Sequence, residues 1–211
     1  MNKMLNILFP PLSPLAAIAH ESSAAPVPGK DYTVLAEPVV TNVAAGMIEV
    51  IEFFWYGSAP CRDFEPLLET WVTKQPQDVV FKRVPIIFNS EFIPYSKLYH
   101  ALIALGRANQ LALKIFDEIT LHGNSLSTPD DQANFLAKYA VDPTKFMAAY
   151  NSFEVEMEVQ RDSQLLTTYK TDDVPTLAVH GRYEIGRGSG NWPRTIQVLE
   201  YLVSQVRAGK L

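Results

Sequence analysis

The spacing of apolar residues changes period along this chain, and each change marks a change of structure. Residues 47–56 are apolar almost throughout, broken only by Glu49 and Glu52, a pattern that suits a central strand covered on both faces. Gly57 ends the run. Residues 60–74 read as a helix, with a kink expected at Pro66. Residues 79–88 are again apolar, apart from Lys82 and Arg83. Strand, helix and strand in this order make a parallel crossover. From Phe92 to Tyr169 the spacing becomes helical: Leu98, Leu102 and Leu105, then Leu111, Ile115 and Ile119, then Phe135 and Tyr139, then Phe146 and Tyr150. Thr128-Pro129 and Asp142-Pro143 read as N-caps followed by proline at the first helical position. Gly106, Gly123-Asn124 and Val141-Asp142 mark the joints. Residues 176–180 and 182–185, separated by Gly181, read as a hairpin. Residues 186–190 read as a flexible glycine-rich connection, and residues 192–206 as an amphipathic helix burying Ile196, Leu199, Leu202 and Val206.

The pattern predicts an α/β fold interrupted by a bundle of short helices. The expected boundaries are an α/β part over residues 30–90 and 170–211 and a helical insertion over 91–169. Pro26-Val27-Pro28-Gly29 reads as a linker, and residues 31–35 as an edge strand. Residues 1–29 are set apart. Lys3, an apolar stretch and the small residues Ser22-Ser23-Ala24-Ala25 follow the order of a secretory signal, although Pro10, Pro11 and Pro14 interrupt it. That stretch is too short and too broken to span a bilayer.

With 211 residues, 47% hydrophobic, the chain can build a core without crosslinks or metals. A net charge of -5 gives no clustered basic face for nucleic acid. His20, His100, His122 and His180 lack ligand spacing, so no metal site is expected, and no cofactor is implied. The single cysteine, Cys61, allows no internal disulfide. It follows a strand and a glycine break at the start of a helix, which favours a reactive thiol over a small buried hydrophobe.

Ser58-Ala59-Pro60-Cys61 therefore carries the chemistry. A strand that delivers Cys-x-x-Cys to the first turn of a helix is the redox turn of a thioredoxin-like fold. The free N–H groups and dipole of that turn stabilise a thiolate. The more exposed first position holds Ser58, whose hydroxyl stays protonated at neutral pH. Val174-Pro175-Thr176 opens a strand where a cis proline is allowed and is expected to face this turn. Glu52 and Arg83 both interrupt strands that should be neighbours. If buried together beneath the turn, they would tune proton transfer at Cys61.

These residues resemble the DsbA family of periplasmic thiol:disulfide oxidoreductases. The resemblance rests on Glu52-Phe53-Phe54-Trp55-Tyr56-Gly57-x-x-x-Cys61 with Phe64-Glu65-Pro66, on Val174-Pro175-Thr176, and on Tyr150-Asn151-Ser152-Phe153 and Gly181-Arg182-Tyr183. It implies a thioredoxin-like fold with an inserted helical domain. The activity it implies is oxidation of reduced or unfolded exported proteins in the periplasm, with reoxidation by a DsbB-type membrane partner. It places Glu52 as the buried acid under the redox pair. It also sets Ser58 where the family carries its nucleophilic cysteine and Pro60 where a histidine is usual. The expectation is a natural Cys-Ala-Pro-Cys turn, silenced here by serine. The alternatives are a non-catalytic thioredoxin-fold protein binding peptides between Ser58, Ala59, Pro60 and Val174-Pro175, and a monothiol chemistry that needs Cys61 open to solvent.

Overall fold

The structure, a computed structural model, describes residues 24–189 and 191–210. In chain order its elements are β1 (Thr33–Val34), β2 (Ile48–Phe54), α1 (Ala59–Val72), β3 (Val79–Pro85), α2 (Ile93–Ala104), α3 (Ala108–Thr120), α4 (Pro129–Ala137), α5 (Pro143–Tyr150), α6 (Phe153–Tyr169), β4 (Thr176–Val179), β5 (Tyr183–Ile185) and α7 (Trp192–Arg207). Short 3-10 turns lie at Ser90–Phe92 and Arg187–Ser189.

The five strands form one mixed sheet in the order β1-β5-β4-β2-β3. β2 pairs parallel with β3 across the α1 crossover and antiparallel with β4. Every residue of β2 is buried, as the apolar run requires, and alternate residues serve two cores. Ile48 and Val50 join Phe64, Leu68 and Trp71 of α1 and Val198, Leu199 and Leu202 of α7. Ile51 and Phe53 join Leu98 and Leu102 of α2 and the other inserted helices. This is the thioredoxin-like fold with a helical insertion, α2 to α6 lying between β3 and β4.

The helix starts follow the cap rule. Thr128, Asp142, Ser152 and Asn191 each accept a backbone N–H at the head of α4, α5, α6 and α7. Several expectations need correction. β3 stops at Pro85, short of residue 88, with the Ile86 N–H making one further bond to the Phe54 carbonyl (2.9 Å). The glycine-rich connection contains the 3-10 turn at Arg187–Ser189. The helix at the end of the insertion, α6, is 17 residues long rather than short. The buried face of α7 is Thr195, Val198, Leu199, Leu202 and Val203, with Ile196 and Val206 only partly covered. The segment before Lys30 is mostly exposed, as a linker would be, yet Arg194 on α7 ties it to the body, reaching the Ala24 carbonyl (3.1 Å) as well as Asp31 Oδ1 (3.1 Å). Residues 1–23 of the signal-like stretch lie outside the described residues.

Candidate active site

β2 runs straight into the turn that starts α1. Ser58 is the N-cap of α1 in extended conformation. Its N–H donates to the Trp55 carbonyl (2.9 Å), and its Oγ accepts the Cys61 N–H (3.3 Å). Pro60 sits in the first helical turn, where a missing N–H costs nothing. Ala59 is exposed and Pro60 half-buried, while Ser58 and Cys61 are buried.

Cys61 has 0% exposure. Burial pushes its thiol up to about 12 and the Glu52 carboxylate adds to this; the Ser58 side chain and Trp55 backbone, both within hydrogen-bonding reach, oppose it. The sequence favoured a reactive thiol here because a helix start lowers thiol pKa values. Burial wins over that effect, so Cys61 in this chain is a shielded thiol. The monothiol reading, which needs an accessible sulfur, loses its footing.

The Val174–Pro175 peptide bond is cis. The β2–β4 register pairs Phe53 with Thr176, so one further step sets Pro175 beside Phe54, at the end of β2 that leads into the Ser58 turn. Val174 is buried in the same apolar cluster as Cys61. Asp173 shapes this loop: its Oδ1 accepts the Val174 N–H and its carbonyl accepts the Thr176 hydroxyl, both at 2.9 Å.

Glu52 lies on the α1 face of β2, paired in register with Arg83 on β3. Arg83 Nε donates to Glu52 Oε2 (2.9 Å), and Nη2 reaches both oxygens of Glu65 (3.0 Å each) and Glu69 Oε2 (3.3 Å). Nη1 reaches Asn109 at 3.5 Å. One guanidinium thus faces three carboxylates. Burial raises the Glu52 pKa, partly offset by Arg83, and burial raises that of Glu65 to about 7, again against Arg83. Burial also works against the Arg83 charge, but Glu52 and Glu65 outweigh it and hold its pKa above the ordinary range. Glu52 Oε1 is buried with no hydrogen-bond partner among the described residues, which leaves it an oxygen on which a proton can reside. A cavity of about 250 Å³ lined by Glu65, Glu69 and Asn109, among others, borders the cluster.

Sequence reasoning brought Glu52 and Arg83 together and missed Glu65, Glu69 and Asn109. A signal was present: Cys61, Glu65 and Glu69 follow at i, i+4 and i+8, one face of a helix. The histidines are separate. His100 Nε2 meets Asp162 Oδ2 at 2.7 Å between α2 and α6, His122 pairs with Glu118 on an exposed surface, and His180 sits at the β4–β5 turn; His20 is outside the described residues.

No protein-family model matches the chain. Curated relatives do. It is 47% identical to the thiol:disulfide interchange protein DsbA of Burkholderia cepacia over 100% of both chains. It is 38% identical to the Azotobacter vinelandii protein of the same name, over 86% of this chain and 85% of that one. The crystal structure of Pseudomonas aeruginosa DsbA superposes with a TM-score of 0.82 at 34% identity, covering 87% of this chain and 95% of that one. The Xylella fastidiosa oxidoreductase DsbA gives 0.78 at 33% identity over 87% and 98%.

Proposed function

The chain belongs to the DsbA family of thiol:disulfide interchange proteins, and from that premise we propose that residue 58 is the place of its nucleophile and that Ser58 is what silences it. Dithiol exchange needs two sulfurs, and this chain has one. The observation that carries the reading is the Ser58 cap itself: its side chain meets the backbone N–H and lies within reach of the thiol of Cys61.

With cysteine at 58, the oxidised turn holds a bond between that sulfur and Cys61 Sγ. A substrate thiolate attacks the sulfur at 58, the intramolecular bond breaks, and a mixed disulfide forms with Cys61 leaving as a thiolate. Because the Cys61 thiol is pushed up to about 12, the released thiolate takes a proton readily, and Glu52, with its unpartnered oxygen, is the group to hand it over. A second substrate thiolate then attacks the substrate sulfur of the mixed disulfide and releases residue 58 as a thiolate, which the helix start stabilises. Substrate disulfide is gained and the turn is reduced by the same two electrons.

In this reading Val174, Pro175, Ala59 and Pro60 line the substrate groove, and Arg83 supports the Glu52 charge. Residues 30–90 and 170–211 form the redox domain, and 91–169 the helical insertion. The substrates are reduced exported proteins in the periplasm, and a DsbB-type membrane protein supplies the oxidant, as the family implies. The names of the relatives favour interchange chemistry over a non-catalytic peptide binder.

The test is the Ser58→Cys form. It is expected to form an internal disulfide and to oxidise a reduced peptide, while the Ser58 chain does neither. A Ser58→Cys form without either property overturns the assignment.

A further inference from the structure

Gly57 is not glycine for the sake of its backbone, which does not occupy the left-handed region. It is glycine because of its neighbour two residues back. A Cβ at position 57 would lie 2.4 Å from Trp55 Cζ2 and 2.7 Å from both Cε2 and Cη2. Real Cβ atoms do not come that close, so the Trp55 indole rests in the space a side chain would fill.

The indole cannot easily move aside. The Phe92 ring lies 5.2 Å away, centroid to centroid, and the Tyr95 ring 6.3 Å away nearly edge-on at 79°. Tyr95 is itself tied into the insertion by its hydroxyl bond to the Ser125 carbonyl (2.8 Å). Trp55 Nε1 is buried with no partner among the described residues, so packing and not a hydrogen bond holds the ring. The same residue also acts through its backbone, since its carbonyl accepts the Ser58 N–H.

We propose that Trp55 and Gly57 form an interlock that positions the redox turn. The indole, clamped between Gly57 and the rings of Phe92 and Tyr95, fixes residue 58 at the head of α1 and couples it to the helical insertion. Trp55 is a positioning residue, acting through the turn and not on substrate. The inference rests on reading position 58 as the nucleophile's place.

The lone cysteine of this chain makes the test direct, because native-state labelling of Cys61 reports opening of the turn. Gly57→Ala forces a methyl group into the indole and is expected to speed labelling about tenfold, within the range of couplings seen between contacting residues. Trp55→Phe lacks Cζ2 and Cη2, so adding it to Gly57→Ala should bring the rate back to within about threefold of the parent. In the Ser58→Cys background, the thiol at 58 should titrate at higher pH in Gly57→Ala and return in the double variant. Thermal melts of all forms separate this local effect from global loss of stability. If Gly57→Ala does not fold alone, a folded double variant is the same rescue.

An unchanged labelling rate in Gly57→Ala, single effects that simply add, or an unfolded double variant overturns the interlock. Identical titration in every form reduces Trp55 to packing and overturns the positioning role. Labelling is read in the Ser58 chain and needs no redox activity. Failure of Ser58→Cys to exchange disulfides therefore counts against the proposed function, whereas an active Ser58→Cys form with additive labelling counts against the interlock alone.

Discussion

Glu65 shows most clearly what single residues reveal and conceal. Glu52 and Arg83 were legible because a charge inside an apolar strand has few explanations. Glu65 was not, because a glutamate on a helix ordinarily faces water; only the fold turns it inward to share Arg83. Its position has a consequence for pH. Folding moves its pKa from the ordinary 4.5 to about 7, so the folded state binds more protons across that window. Stability is therefore full below 4.5 and falls as pH rises towards 7, and Glu52, raised in the same direction, adds to the loss. The Glu65 contribution amounts to roughly 3 kcal/mol. Urea unfolding at the two ends of the window measures it, and Glu65→Gln should flatten the dependence. A slope left unchanged by Glu65→Gln would assign the effect to another group, and the part that remains after Glu65→Gln belongs to Glu52. Cys61 teaches the converse lesson: its place in the first turn of a helix, as the more buried of the two positions, was readable, but the completeness of that burial, 0% exposure, was not.

At the scale of elements, caps and prolines marked the starts of α4 and α5 well, since each rests on a local hydrogen bond. The long helix α6 was less legible. Its buried face includes Asp162, which accepts from Ser96 Oγ (2.9 Å) and meets His100 across α2. A polar residue on an inward face breaks the apolar period that sequence reading relies on. The start of α6 explains part of the Tyr150-Asn151-Ser152-Phe153 signature physically. Tyr150 is buried, and Ser152 Oγ accepts the Val155 N–H at 3.2 Å. Ser152→Ala should therefore cost about 1 kcal/mol of stability, and Ser152→Asp should keep most of it. Equal denaturation midpoints for Ser152→Ala and the parent would show that the cap contributes nothing.

For the molecule as a whole, Arg83 is the tie that matters most. From β3 it holds β2 through Glu52 and α1 through Glu65 and Glu69. Arg83→Met would leave buried carboxylates without a counter-charge and should lower stability by roughly 3–5 kcal/mol. Adding Glu52→Gln and Glu65→Gln should recover much of that, which chemical denaturation of the three forms would check. No helix among the described residues is long and apolar enough to cross a membrane. By itself the sequence determined the alternation of strand and helix, the helical insertion and the Ser58–Cys61 turn at the head of α1, because these depend on period, caps and breaks within a few residues of one another. Only the tertiary structure decided that three acids share one arginine, that Cys61 is shut away from water, and that an indole occupies the place of a missing side chain at Gly57. Each of those depends on which groups are brought together across the fold, and burial and charge act through space, not along the chain.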